Sequence, residues 1–129
     1  AWNSKINFTV QSLPTPYFVP LDPQLFKSAL LNLFVNAIQA MPEGGNLFVS
    51  IQPEPTWVTI RIQDTGVGIP EENLSKIFSP FFTTKETGNG LGLAEVHKVI
   101  QAHHGWIEVQ SAVGQGTTFT IKIPLKLGE

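Results

Sequence analysis

Hydrophobic and polar positions change period several times along the chain, and each change marks an element. "KINFTVQ" (5–11) alternates with a period of two and predicts a strand. "SLPTPYFVPLDP" (12–23) carries four prolines, so it predicts an extended connection with a short strand at Tyr17 to Val19. Asp22 followed by Pro23 has the form of an N-cap and first helical residue. The period then lengthens to that of a helix, which runs to about Met41 and stops at "PEGG". "NLFVSIQ" (46–52) and "TWVTIRIQD" (56–64) alternate again and predict an antiparallel hairpin around "PEP". "TGVGIP" is a glycine turn, and "PEENLSKIF" a short helix opened by Pro70 and two acids. Residues 79–92 have no period and predict a long loop, of the kind that in compact domains is functional or mobile. "LGLAEVHKVIQAHHG" (91–105) predicts a helix closed by Gly105, and "WIEVQS" with "TTFTIKIPL" a last hairpin around "AVGQG". This order predicts a two-layer α/β sandwich: a mixed, mostly antiparallel sheet of about five strands, with three helices on one face.

Within the first helix, Gln24, Ser28, Asn32 and Asn36 recur every four residues and form one slowly drifting stripe. Leu30, Leu31, Leu33, Phe34, Val35, Ala37 and Ile38 take up most of the remaining circumference, which predicts burial on more than one side. Buried amides need partners, so the stripe either caps local backbone or faces a cavity or ligand.

Length and charge narrow the function classes. The 129 residues suit one domain (1–129) able to bury roughly two-thirds of its unfolded surface. A formal net charge of −2 points away from a nucleic-acid surface. The sequence holds no cysteine, which rules out disulfides and Cys-based zinc and fits a cytoplasmic setting. No apolar run is long enough to span a bilayer, so no membrane contact is expected of the domain itself. The chain opens partway into a predicted strand, which suggests a domain cut from a longer parent.

Three glycine motifs stand where chemistry is expected. "DTGVGIP" puts Asp64 at the end of a strand, with Gly66, Gly68 and Ile69 in a turn that allows close backbone approach. It is no P-loop, because no G-K-[ST] follows. "GNGLGL" (Gly88, Gly90, Leu91, Gly92, Leu93) leads straight into a helix, whose free N–H groups attract phosphate. Thr83, Thr84 and Lys85 add two hydroxyls and a cation just upstream. "GQGTTF" brings Thr117 into the last strand. The three histidines read as structural; His103 and His104 stand at a helix end, where a protonated imidazole suits the dipole.

The order of the motifs is more specific than any one of them. N-x-x-x-N-A, D-x-G-x-G, F-x-P-F, G-x-G-L-G-L and G-x-G-T-x-F, spread from about Ile6 to Leu125, resemble the ATP-binding catalytic domain of sensor histidine kinases. That domain belongs to the Bergerat superfamily, with gyrase, chaperone and mismatch-repair ATPases. "NAIQAM" and "FSPFFTTK" look most like its nitrogen-regulation branch.

The resemblance implies a Bergerat fold and the cofactors ATP and Mg²⁺. By position it makes Asn36 the metal ligand, with Asn32 beside the phosphates. Asp64 becomes the acceptor for the adenine amino group, with Thr117 acting through water. Gly66, Gly68 and Ile69 would pass the base and ribose. Thr83 to Gly92 becomes a nucleotide lid, with Gly88, Gly90, Leu91, Gly92 and Leu93 at the phosphates; Phe78, Pro80 and Phe81 form the box that positions it. The chain departs from many relatives in having Gln39 three residues after Asn36 where they have lysine, which leaves Lys85 to neutralise phosphate. Hydrolytic cousins carry a glutamate at the position of Asn32. An amide cannot serve as general base toward water, which favours transfer to a protein acceptor.

The implied activity is donation of the γ-phosphoryl group to a histidine on a separate dimerisation and phosphoacceptor domain, for relay to a response regulator. Implied further are a homodimeric parent, compatible with a membrane anchor in its other parts, and a monomeric isolated domain. The alternatives are a serine-directed kinase of the anti-sigma type and an ATP-gated clamp or chaperone.

Overall fold

A computed structural model describes residues 6–11, 22–79 and 92–125. The elements are β1 (Ile6–Gln11), α1 (Pro23–Gln39), β2 (Gly45–Pro53), β3 (Trp57–Asp64), α2 (Glu71–Leu74), α3 (Gly92–Ala102), β4 (Trp106–Ala112) and β5 (Gly116–Pro124). The strands form one sheet in the order β1-β2-β3-β5-β4. Only β1 and β2 are parallel; the other three pairings are antiparallel. A parallel pair requires a crossover, and α1 supplies it. The result is the expected mixed sheet with its helices on one face.

Alternation decides which side of each strand meets the helices. Val58, Ile60 and Ile62 of β3 point inward, as do Phe119, Ile121 and Ile123 of β5. They pack against Phe26, Ala29, Leu33 and Ala37 of α1 and Val96, Val99 and Ile100 of α3. Burying side chains of this size contributes roughly 1.5–3 kcal/mol each, so this layer carries most of the fold.

The start of α1 is built as its sequence predicts. The Asp22 carboxylate accepts from the N–H groups of Gln24 (3.0 Å) and Leu25 (3.1 Å), and Pro23 occupies the first turn. The expectation of burial on more than one side fails, however. Leu31 and Val35 are 51% and 50% exposed. With helices on only one face of the sheet, nothing among the described residues closes over the outer side of α1. Residue type alone does not reveal that open side.

The end of α3 differs from expectation as well. His104, not Gly105, takes the left-handed backbone conformation, with φ of 62°. The Gly105 N–H donates to the Ile100 carbonyl and the His104 N–H to that of Gln101, both at 3.0 Å. That pairing closes the helix as a Schellman motif one residue earlier than predicted.

His103 is buried and serves neither as ligand nor as a charged cap. Its Nδ1–H donates to the Val99 carbonyl at 2.7 Å, and its Nε2 accepts the Asp22 N–H at 2.8 Å. An N–H can only donate and a carbonyl only accept, so this is the pattern of a neutral imidazole. The ring ties the end of α3 to the start of α1. The helix expected over 70–78 shrinks to the single turn α2, followed by i→i+3 turns at Lys76 and Ser79. The short strand expected at Tyr17 to Val19 lies outside the described residues.

Candidate functional site

The inward-facing phase of β3 ends on a carboxylate. Val58, Ile60 and Ile62 are followed at the same spacing by Asp64, which is 4% exposed. Its register partner on β5 is Thr117, 5% exposed, and the partner of Thr117 on β4 is Ser111. Asp64, Thr117 and Ser111 therefore form a polar row across three adjacent strands, on the face that is otherwise packed with hydrocarbon.

The glycine turn after β3 roofs this row. The Gly66 N–H donates to the Asp64 Oδ1 at 2.8 Å. Farther along, the Ile69 N–H donates to the Ser111 Oγ at 2.8 Å, and the Gly114 N–H donates to the Val67 carbonyl, also at 2.8 Å. The turn thus passes from β3 over β5 and lands on the β4–β5 hairpin. Its two glycines are required by the protein's own backbone. A Cβ on Gly66 would stand 2.3 Å from the Ala40 carbonyl oxygen. One on Gly68 would stand 2.1 Å from that of Ala112, and Gly68 also has φ of +80°.

Burial raises the pKa of Asp64, and the backbone N–H groups of Gly66 and Thr117 pull against that rise. A carboxylate has about four lone-pair positions, so two backbone donors leave acceptor capacity for another group.

The amide helix joins the same end of the sheet. The Val67 N–H donates to the Ala40 carbonyl at 2.9 Å, and Ala40 closes the last turn of α1 by donating to the Asn36 carbonyl at 3.0 Å. The glycine turn and the turn bearing Asn36 are thus docked to each other. Asn32 and Asn36 are half-buried, whereas Gln24 and Ser28 are exposed, so only the C-terminal half of the stripe is sheltered. Asn32 lies beside the start of α3: a Cβ on Gly92 would be 3.9 Å from its amide. A helix start with its free N–H groups and a neutral amide are thereby neighbours.

Phe78 stands at the border of this region. It stacks on His97 with centroids 5.3 Å apart and meets Phe119 edge-on at 6.3 Å. Ile69 and Leu93 are half-buried and pack against the core.

The structure therefore brings Asp64, Gly66, Gly68, Ile69 and Thr117 into one cluster, and sets Asn32 beside Gly92. Thr83, Thr84, Lys85, Gly88, Gly90 and Leu91 lie outside the described residues, as do Pro80 and Phe81. Sequence reasoning overlooked Ser111. Its signal is the alternation of Ile107, Val109 and Ser111, which puts the serine on the inner face.

An α/β sandwich with a buried acceptor row at one sheet end, roofed by a glycine turn docked on an amide-bearing helix, has the architecture of a Bergerat-type ATPase domain. The chain belongs to the histidine kinase-, DNA gyrase B- and HSP90-like ATPase family, whose profile matches residues 21–127. It is 42% identical over 106 residues to sporulation kinase E of Bacillus subtilis (strain 168), covering 81% of this chain and 14% of that protein. It is also 42% identical over 109 residues to the sensor histidine kinase ZraS of Escherichia coli (strain K12), covering 84% and 23% respectively. The chain thus spans less than a quarter of either curated relative. Among solved structures, the nucleotide-free catalytic domain of histidine kinase ThkA superposes with a TM-score of 0.83. The two are 36% identical, and the match covers 93% of this chain and 80% of that one.

Proposed function

We propose that this domain binds Mg·ATP and presents its γ-phosphoryl group to a histidine on a helical dimerisation domain of the same parent chain, for relay to a response regulator. The observation that carries the reading is the buried Asp64 acceptor, roofed by a turn docked one helical turn from Asn36. A buried carboxylate with spare lone pairs suits an exocyclic amino group, and the Thr117 oxygen stands beside it in the row. The names of the relatives, sensor and sporulation kinases, favour a histidine as acceptor over a serine.

Asn36 would hold the metal through its amide oxygen, and Asn32 would orient the phosphates or a metal-bound water. Among the described residues there is no group of three or more His, Cys, Asp or Glu able to hold an ion. The protein would then supply one or two neutral oxygens, and phosphate and water the rest, as suits a hard ion that keeps its waters. The bound ion would neutralise charge on the phosphates. Gly92 and Leu93 begin a helix whose N–H groups would face phosphate. Thr83, Thr84, Lys85, Gly88, Gly90 and Leu91 would close over it as a lid, with Lys85 contributing positive charge. No residue here is asked to form a covalent bond, so catalysis would rest on positioning and electrostatics. The domain would work on the cytoplasmic side, as a monomer when isolated and within a homodimeric parent.

Titration calorimetry with Mg·ATP tests the reading. Binding that requires Mg²⁺ is expected, and an absence of heat would refute it. With a phosphoacceptor domain supplied, Asn36→Ala is expected to abolish transfer; transfer at the unmodified rate would remove Asn36 from the metal site.

A further inference from the structure

We infer that Ser111 is a positioning residue for base selection: it holds the Thr117 hydroxyl proton away from the ligand, so that the polar row presents acceptors only. This rests on the nucleotide reading above and extends it to a residue that touches no ligand.

The inference follows from counting protons. Three groups meet the Ser111 Oγ: the Ile69 N–H at 2.8 Å, the Gly116 carbonyl oxygen at 2.9 Å and the Thr117 Oγ1 at 2.8 Å. A serine hydroxyl has one proton and two lone pairs. The Ile69 N–H can only donate, so it takes one lone pair. The Gly116 carbonyl can only accept, so it takes the proton. One lone pair remains, and Thr117 fills it only by donating its own hydroxyl proton. Every valence of Ser111 is then satisfied. The reverse assignment would leave two bare oxygens, Ser111 Oγ and Gly116 O, facing each other at 2.9 Å.

Thr117 therefore has lone pairs left and no proton to offer. Its register partner Asp64 is an acceptor as well, so two adjacent groups of the row ask for hydrogen donors. A 6-aminopurine carries two N–H bonds at its exocyclic nitrogen, whereas a 6-oxopurine carries an acceptor there. The carboxylate alone would favour the former. Ser111 removes the one hydroxyl proton in the row that could otherwise turn to welcome the latter. Because the same oxygen anchors the Ile69 N–H, the serine sets the proton direction and the height of the roof together.

The test is the ratio of ATP to ITP affinity, measured by calorimetry with Mg²⁺; the two nucleotides differ in the purine 6 substituent and, with it, in N1, which accepts in adenine and carries a proton in hypoxanthine. Ser111→Ala is expected to lower the ratio by about fivefold, the fold-change of one neutral hydrogen bond, through weaker ATP and unchanged or tighter ITP. Ser111→Thr, which keeps the hydroxyl, is expected to restore it. If Ser111→Ala does not fold, Thr117→Val serves, since it removes the oriented oxygen and leaves the other two Ser111 bonds in place; the same fall in ratio is expected. Equal losses for both nucleotides, or no change in either, would overturn the inference while leaving nucleotide binding intact. No ATP binding by the unmodified domain would overturn the functional reading and this inference with it.

Discussion

One carboxylate stands just before β3 and another ends it, and the protein treats the two in opposite ways. At the entrance, Glu54 accepts the Thr59 hydroxyl at 2.6 Å. That bond first, and the charges of Lys122 and Arg61 after it, lower its pKa. It stands beside an aromatic corner in which Trp57 and Trp106 meet edge-on at 5.0 Å, with the Lys122 Nζ 5.0 Å from the Trp57 ring. At the exit, Asp64 is buried, and burial raises its pKa. The fold thus favours ionised Glu54 and merely tolerates ionised Asp64. A carboxylate kept where its charge is disfavoured is the one to suspect of serving a ligand.

Exchanging Asp64 for Asn should break this contrast most visibly. Losing a charge-assisted hydrogen bond of about 1.5–3 kcal/mol predicts ATP binding weaker by about 10- to 100-fold. Guanine nucleotides should change little, and calorimetry with both checks the direction. Stability should move the other way. The raised pKa means that the folded state holds the Asp64 proton more tightly than the unfolded chain does. Ionisation therefore erodes stability as pH rises from about 4 through the folded-state value. Asp64→Asn should match or exceed the parent's melting temperature at neutral pH and lose that advantage in acid. Melts between about pH 3 and about pH 8 would reveal a crossover of the wrong sign.

Glu54→Gln should give a smaller effect of opposite sign. A lowered pKa adds stability above the unfolded value that is lost as pH falls through the folded one. The variant should melt slightly below the parent at neutral pH, converge with it in acid and bind ATP unchanged. Glu54 is only half-buried, so solvent screens the nearby charges and the shift should be small. Lys122→Met keeps the side-chain stem but removes the cation over the two indoles. It should cost about 0.5–1 kcal/mol in chemical denaturation, and added salt should shrink the difference.

Elements and partners were largely legible in the chain because they follow from period and punctuation. Asp22–Pro23 announces α1, and the alternation through Val58, Ile60 and Ile62 announces β3. The same alternation already places Asp64, Thr117 and Ser111 on the buried side. Ser111 escaped notice because a serine near a turn resembles any other, and its significance lies in three partners from two segments, the glycine turn and β5. His103 was unreadable for a similar reason: the backbone N–H it accepts belongs to Asp22, 81 positions away. The open side of α1 hid behind Leu31 and Val35, whose types suggest burial when only the number of neighbouring layers decides it. His104 shows that a cap is set by geometry; the adjacent glycine drew the prediction one residue too far.

The row that crosses the sheet also makes strand register a functional quantity. Phe8, Leu47, Asp64, Thr117 and Ser111 are successive partners across β1, β2, β3, β5 and β4. A slip of one residue between β3 and β5 would put two consecutive side chains on opposite faces of the pleat. Asp64 and Thr117 would part, although most backbone hydrogen bonds could re-form. Such a species would keep its strand content and much of its compactness and, on the proposed role of Asp64 and Thr117, would lose purine recognition. Nucleotide binding is therefore a more demanding assay of correct folding for this domain than circular dichroism, and a preparation with a native spectrum but partial binding stoichiometry would mark chains trapped in the neighbouring register.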